Sequence, residues 1–317
     1  MKERVRVTAI VPVKNGSRYL PTFLTNLTKI CSELDEILLI DDNSADDTYV
    51  ELLKFAAGKT NFKILKATGN GLVDALNQGI SLAKNDWLAR FDCDDIYNLE
   101  RLNFQSDYVQ KDTVCIFSDY IIQGKSGEHL GYIPSPIFPL PTKLSLVTNQ
   151  RTAHPVALMR RESVILVGGY RSEDFPAEDL SLWIRLSQIG SLVTVPEPLL
   201  LYTLNSNSVT GLRYQESKEK AHNLYQQSRI SENEIRFAIR NFKNQSENYS
   251  NTTFANQREF LHYVDIYRNM RINYFPIGNT LAFLIFNFDI KYLVSAFNLY
   301  LGFRKRRRYR IANPSIG

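Results

Sequence analysis

Three acidic clusters hold the side chains best suited to chemistry. The run FDCDD, residues 91–95, places Asp92, Asp94 and Asp95 within four positions, just past a hydrophobic stretch. Carboxylates crowded this closely repel one another unless a cation neutralises them. Hard oxygen ligands suit Mg2+ or Mn2+, which also clamp phosphate oxygens. The plainer account is a polar turn capping a helix that begins near Leu99, with Cys93 a small spacer. A second run, IDDNSADDT at 40–48, ends a buried strand with Asp41 and Asp42. Capping of the next helix explains Ser44 and Asp46. It does not explain two adjacent acids at the strand end, where a carboxylate could accept hydrogen bonds from a base or a ribose. The third run, AEDLSLW at 177–183, opens a helix after the Gly-containing VGGYRSEDFP. The helix dipole favours acids in a first turn and accounts for Glu178. Asp179 is a candidate general base if it faces the same cleft as the other acids.

The elements that must position these clusters alternate through the first 95 residues. β-Branched runs at 5–13, 36–41, 62–66 and 86–92 are each bounded by Gly, Asn, Asp or Pro and read as strands. Helical stretches at 17–30, 46–57 and 71–84 separate them, the last with Leu72, Ala75, Leu76 and Ile80 on one side. Strands joined by such helices imply βαβ units and a mostly parallel sheet. Ligands in such sheets bind beyond the carboxyl ends of the strands, where the first two acidic clusters fall. From 99 to 201 the pattern is mixed: a helix at 99–111, a strand at 113–122, a turn at 124–127 and a proline-rich loop at 133–141. A strand at 155–160, a helix at 178–189 and a closing strand at 193–202 follow. Beyond residue 211 the chain turns polar and helical as far as 248, and the Asn/Ser/Thr stretch 248–256 reads as a linker.

Composition removes several classes. The chain has 317 residues, 44% of them hydrophobic and 22% charged, which excludes disordered and collagen-like structure. Its net charge is +5, and the run RKRRRYR at 304–310 holds six positive charges; taking these away leaves −1 for the rest. Nucleic-acid proteins usually spread basic residues over a folded face, so nucleic acid is not the expected partner. Three cysteines, Cys31, Cys93 and Cys115, match neither a zinc module nor a disulfide framework, and a reduced cytosolic setting is expected. The opening MKERVRVTAIVPVKNG has too short an apolar run for a signal peptide and reads as a first strand.

The most apolar segment is 280–303. Asn287, Asp289 and Lys291 lie at its centre, and central Asp and Lys each cost about 2.5–3.5 kcal/mol on insertion, which argues against a spanning helix. As a helix it would place Phe283, Phe286, Ile290, Leu293, Phe297 and Leu301 on one face, next to the polybasic run. That pattern predicts an amphipathic helix at the membrane surface. A helix docked on the domain or on a partner subunit is the alternative.

The order of these motifs is itself a signal. VPVKNG, IDDNSADDT, NGLVDALNQGISLA, WLARFDCDD, HPVALMRRESVILVGGYR and AEDLSLWIRL, over roughly residues 5–210, resemble the family 2 glycosyltransferases. The resemblance implies an α/β GT-A (Rossmann-like) fold: a mixed, mostly parallel sheet flanked by helices over 1–210. A helical C-terminal extension would follow at 211–279, with the amphipathic helix and basic tail at 280–317. It implies a nucleotide-sugar donor (UDP- or dTDP-linked), a divalent cation, Mn2+ or Mg2+, and inversion at the anomeric carbon. The acceptor would be a glycan or a lipid-linked glycan, within polysaccharide biosynthesis. The enzyme would be cytoplasmic, peripheral on the cytosolic face of the membrane. By position, Pro12 and Asn15 would line the nucleobase pocket and Asp42 would bind base or ribose. Asn70 and Gly71 would border the base, with Asp74 and Asn77 on the helix behind. Asp92, the first acid of the Asp-x-Asp motif, would take the ribose side, with Asp94 and its rival Asp95 as metal ligands. Asp179 matches the catalytic base, with Glu178 beside it. His154 is an acceptor-side candidate, Trp183 is expected to pack in the core, and Arg185 to pair with a local acid.

Two positions depart from the family pattern. Lys14 stands where Tyr or Phe is usual before the Asn of the first motif, and it could approach phosphate. Asn205 stands where a His commonly aids the metal or diphosphate. These departures motivate a rival reading, a catalytically silent relative that binds nucleotide-sugar or scaffolds a glycan-assembly complex. A sugar nucleotidylyltransferase would want an early Gly-rich phosphate loop, and VPVKNGSRYL supplies one Gly.

Overall fold

The computed structural model describes residues 5–124, 126–133, 135, 152–205 and 212–227. They belong to one compact unit, 1–135 with 151–227; the other unit, 136–150 with 228–317, lies outside the described residues. The expected linker at 248–256, the amphipathic helix and the basic tail fall outside them as well.

Four strands, β1 (Val7–Val13), β2 (Glu36–Asp41), β3 (Phe62–Lys66) and β4 (Trp87–Arg90), pair in parallel in the order β3-β2-β1-β4. Every residue of β1, β2 and β4 is buried, which explains their unbroken apolar runs: a parallel strand covered on both faces has no solvent side on which to alternate. The helices α1 (Leu20–Ile30), α2 (Thr48–Ala56) and α3 (Leu72–Leu82) connect them. α1 begins with Pro21 in its first turn and buries Leu20, Phe23, Leu24, Leu27 and Ile30, a 3-1-3-3 spacing that makes one stripe. α3 lies so close to the sheet that a Cβ on Gly79 would come within 2.7 Å of Ile10. A side chain there would push helix and sheet apart.

Beyond β4 the sheet becomes antiparallel, then mixed. β5 (Ile96–Tyr97), α4 (Arg101–Ser106), β6 (Thr113–Gln123) and β7 (His129–Ile133) come next, then β8 (Leu158–Arg160), α5 (Arg161–Leu166), α6 (Glu178–Leu186), β9 (Ser191–Thr203) and α7 (Tyr214–Gln227). The order continues β4-β8-β6-β9-β5, with β7 on β6. β8 is antiparallel to both its neighbours, whereas β6 and β9 run parallel over most of their length. Their register slips where β9 passes from Val195 to Pro198 opposite Ser118 and Asp119. Pro196 and Pro198 lack the N–H a ladder needs, which accounts for the irregularity.

The expected mixed α/β sheet with flanking helices is therefore observed, with differences in detail. The 155–160 strand is only Leu158–Arg160, because His154–Val156 forms a 3-10 turn. The 86–92 strand ends at Arg90, so Asp92 lies outside it. The 99–111 helix shortens to Arg101–Ser106. β5, β7 and α5 have two, five and six residues, too few for a periodic pattern to register.

Candidate active site

The loops after β1, β2, β3 and β4 all emerge at one edge of the sheet, and the candidate residues sit on them. Pro12 is buried in β1, paired with Ile40. Lys14 Nζ lies 3.1 Å from Asp42 Oδ2, and Asp42 Oδ1 accepts the Gly71 N–H at 2.8 Å. Asn15 Oδ1 accepts the Ala45 N–H, and its own N–H donates to Ser44 Oγ, which ties the first loop to the second. Asp74 Oδ2 accepts the Asn70 N–H at 2.9 Å, closing the turn that Gly71 makes at φ +92°. The Asn77 side-chain amide instead donates to the Tyr170 carbonyl and accepts the Tyr170 N–H, so it ties α3 to the segment ahead of α6.

The acidic trio follows β4. One oxygen from each of Asp92, Asp94 and Asp95 lies within 4.8 Å of the others, and the three form the acid cluster with metal-ligand spacing among the described residues. Each is held differently. Asp92 Oδ1 pairs with Arg90 Nη2 at 2.7 Å, and its N–H donates to Tyr97 Oη. Asp94 Oδ2 accepts from Asn205 Nδ2 at 3.1 Å. Asp95 Oδ1 accepts the Thr203 N–H at 2.8 Å, while its Oδ2 is buried with no hydrogen-bond partner among the described residues. Burial raises the Asp94 carboxyl, and the Asp92 charge adds to it. Burial, then the charges of Asp92 and Asp94, push Asp95 well above the ordinary range. A donor set short of positive charge, with an orphaned oxygen, fits a hard divalent cation. Burial also pushes the Cys93 thiol up, which suits a spacer rather than a ligand.

The acidic pair opens α6. Glu178 is 5% exposed, and burial, then the neighbouring Asp179 charge, pushes its carboxyl up to about 8. Burial raises Asp179 too, although its Oδ1 accepts the Leu180 N–H at 2.6 Å. A helix N-terminus favours carboxylate charge by about 0.3–1 kcal/mol, too little to offset this desolvation. The pair and the trio feel one another: the Asp92 charge raises Glu178, and the Arg90 guanidinium lowers Asp94, Asp95, Glu178 and Asp179.

Arg90, 1% exposed, was not legible as a site residue, although an arginine inside an otherwise apolar strand is a signal. Arg101 was missed as well. It is fully buried, its Nη atoms donate to the carbonyls of Arg90, Pro155 and Ala157, and burial lowers its pKa to about 10. His154 Nε2 is 2.7 Å from Tyr170 Oη and its ring lies against Trp183; burial, then the Arg90 charge, holds it well below its ordinary pKa. Trp183 is fully buried, edge-on to Phe117. The expectation for Arg185 is corrected: among the described residues it donates to the carbonyls of Val167 and Gly169 rather than to an acid, because those peptide oxygens lie within reach just past the end of α5.

The profile described as Glycosyl transferase family 2 matches residues 8–167, half of the chain, including the trio. The chain belongs to glycosyl transferase family 2. This family 2 glycosyltransferase is 26% identical over 232 residues to an uncharacterized glycosyltransferase of Haemophilus influenzae, covering 68% of this chain and 70% of that one. A Rickettsia conorii glycosyltransferase is 26% identical over 59% of this chain, but the match spans only 32% of that longer protein. The UDP-Gal:alpha-D-GlcNAc-diphosphoundecaprenol beta-1,3-galactosyltransferase of Escherichia coli is 24% identical over 56% of this chain and 66% of its own length. Among solved structures, the mannosyltransferase PcManGT from Pyrobaculum calidifontis, in complex with GDP-Man and Mn2+, superposes with TM-score 0.56 and 13% identity, over 99% of this chain and 89% of that chain. S. aureus TarS 1–349 in complex with UDP-GlcNAc gives 0.55 and 15%, over 84% and 73%. These likenesses agree with the GT-A fold.

Proposed function

We propose that this glycosyltransferase moves one sugar from a nucleoside-diphosphate sugar to a hydroxyl of a glycan or lipid-linked acceptor, inverting the anomeric carbon, as a step of polysaccharide biosynthesis. The observation that carries the reading is the acidic trio within 4.8 Å, three carboxyls with Arg90 as the paired cation among the described residues, in the same electrostatic neighbourhood as the raised Glu178–Asp179 pair. The UDP-GlcNAc and GDP-Man complexes of the structural relatives support a nucleotide-sugar donor, and UDP- or dTDP-sugars are the class proposed here.

Asp94 and Asp95 would hold the divalent cation, Mn2+ or Mg2+, which when bound stabilises the negative charge growing on the leaving diphosphate. Asp92, fixed by Arg90, takes the ribose side, while Pro12 and Asn15 line the base pocket, Asp42 binds base or ribose, and Asn70 and Gly71 border the base with Asp74 behind them. An acceptor hydroxyl attacks poorly while it keeps its proton, and Asp179 removes it. Glu178, with its carboxyl near 8, stays mostly protonated at neutral pH, which leaves Asp179 as the member of the pair assigned to take the proton. His154 is assigned to the acceptor side.

Calorimetry of UDP, dTDP and GDP, with and without Mn2+, tests the reading on the protein and on Asp94→Ala. Manganese-dependent binding of one diphosphate, lost in the variant, is expected. A folded protein that binds none of them would reject the donor assignment. One that binds donor but yields no product with any acceptor, and is indifferent to Asp179→Asn, is a silent scaffold. Attachment to the cytosolic membrane face through 280–317 belongs to the same proposal and rests on the sequence pattern alone. Deleting that segment should release the protein from the membrane fraction, and an unchanged distribution would reject it.

A further inference from the structure

β1 and β2 run parallel with Val13 beside Asp41, and both end in the same way. Each continues one residue past its last ladder pair, to Lys14 and Asp42. Each then turns through an asparagine in the left-handed region, Asn15 at φ 49° and Asn43 at φ 52°. Asparagine adopts that conformation more readily than most residues. The matched turns leave Lys14 and Asp42 side by side, Nζ 3.1 Å from Oδ2, with the other carboxylate oxygen on the Gly71 N–H. The two side chains differ in access: Asp42 is 5% exposed and Lys14 55%. A ligand reaching this edge therefore meets the ammonium first. Behind it the carboxylate keeps spare lone pairs, since each oxygen can accept two hydrogen bonds.

We propose that Lys14 is a specificity-determining residue that reads the nucleobase together with Asp42, rather than the diphosphate; this rests on the donor reading above. Paired with Asp42, Lys14 offers no net positive charge to attract an anion. What the pair offers is a donor next to an acceptor. The complement is a neutral heterocycle edge with an N–H beside a carbonyl, as in uracil, thymine or guanine: the carboxylate accepts the N–H and the ammonium donates to the carbonyl. Sheet order agrees. Across β2-β1-β4, Lys14 leans from β1 toward β2, while the trio proposed for the diphosphate's cation follows β4 on the opposite side of β1.

The test compares wild type with Lys14→Ala, Lys14→Met and Lys14→Arg. The diphosphate among UDP, dTDP and GDP that wild type binds is measured by calorimetry with Mn2+, and its monophosphate and nucleoside by ligand-observed NMR. Loss of one charge-assisted hydrogen bond at a half-exposed position should weaken binding about 10-fold. The factor should be the same for nucleoside, monophosphate and diphosphate in the Ala and Met variants, and Arg should retain affinity. A loss that grows with each phosphate would make Lys14 a phosphate contact and overturn the proposal, as would unchanged or tighter binding in Ala and Met. If wild type binds no nucleotide, the donor reading itself falls, and the assignment of Lys14 with it. The exposed position makes misfolding of these variants a minor concern, and thermal melts check it.

Discussion

The trio after β4 and the pair opening α6 are both carboxylate clusters in buried surroundings, but they are held in different ways. Around the trio, Arg90, the Thr203 N–H and the Asn205 amide each take one oxygen, and one oxygen of Asp95 has no partner among the described residues. Around the pair, the Leu180 N–H supports Asp179, and Glu178 Oε2 is buried with no hydrogen-bond partner among the described residues. The first arrangement fixes three acids in place while leaving negative charge for a cation to meet. In the second, burial and then the Asp179 charge outweigh the Arg90 guanidinium and hold the Glu178 carboxyl up at about 8. Similar residue types thus meet different surroundings, set by the donors around them.

Four measurements break or sharpen this contrast. The largest effect is expected from Asp179→Asn, with kcat lower by about 10²- to 10⁴-fold and donor binding unchanged in calorimetry. A variant that lost donor binding instead would move Asp179 into the trio's role. Asp94→Ala should show the reverse pattern, abolishing manganese-dependent binding of the nucleoside diphosphate; binding that survives with its metal dependence intact would remove Asp94 from the ligand set. Asn205→Ala removes the amide that donates to Asp94 and to Tyr19, and about 10-fold weaker Mn2+ affinity is expected from titrations followed by donor binding.

The last effect is on stability. The Glu178 carboxyl stands at about 8 in the fold against 4.5 ordinarily, so between those values the unfolded chain ionises first and the native state holds the extra proton. The stability this gives is fully present below pH 4.5 and is lost as pH rises through about 8. Glu178→Gln should flatten that decline. Equal pH dependence of the melting temperature in wild type and variant between pH 5 and 8 would show that burial does not raise Glu178 as described.

Much of the parallel half could be read from local pattern. The buried runs of β1 and β2, the single apolar stripe of α1 and the acids just past β2 and β4 are properties of consecutive residues, and they appeared where expected. The mixed half was harder. β8 is three residues long and inserts antiparallel between β4 and β6, which no window of sequence announces. Arg101 looked like an ordinary helical arginine, yet it binds three carbonyls from two distant segments. Arg185 was expected to pair with a local acid, and the fold gave it carbonyls instead.

The sequence by itself determined which side chains could do chemistry. Residue type and spacing fix charge, ligand hardness and the alternation of strands and helices, and those are local quantities. Only the tertiary structure decided what each acid experiences. It set Lys14 against Asp42, Arg90 against Asp92 and Asn205 against Asp94, pairs 28, 2 and 111 residues apart, and left Asp95 and Glu178 each with an oxygen unmatched among the described residues. Desolvation and Coulomb interaction depend on distance through space, and for most of these pairs the distance along the chain carries almost no information about it.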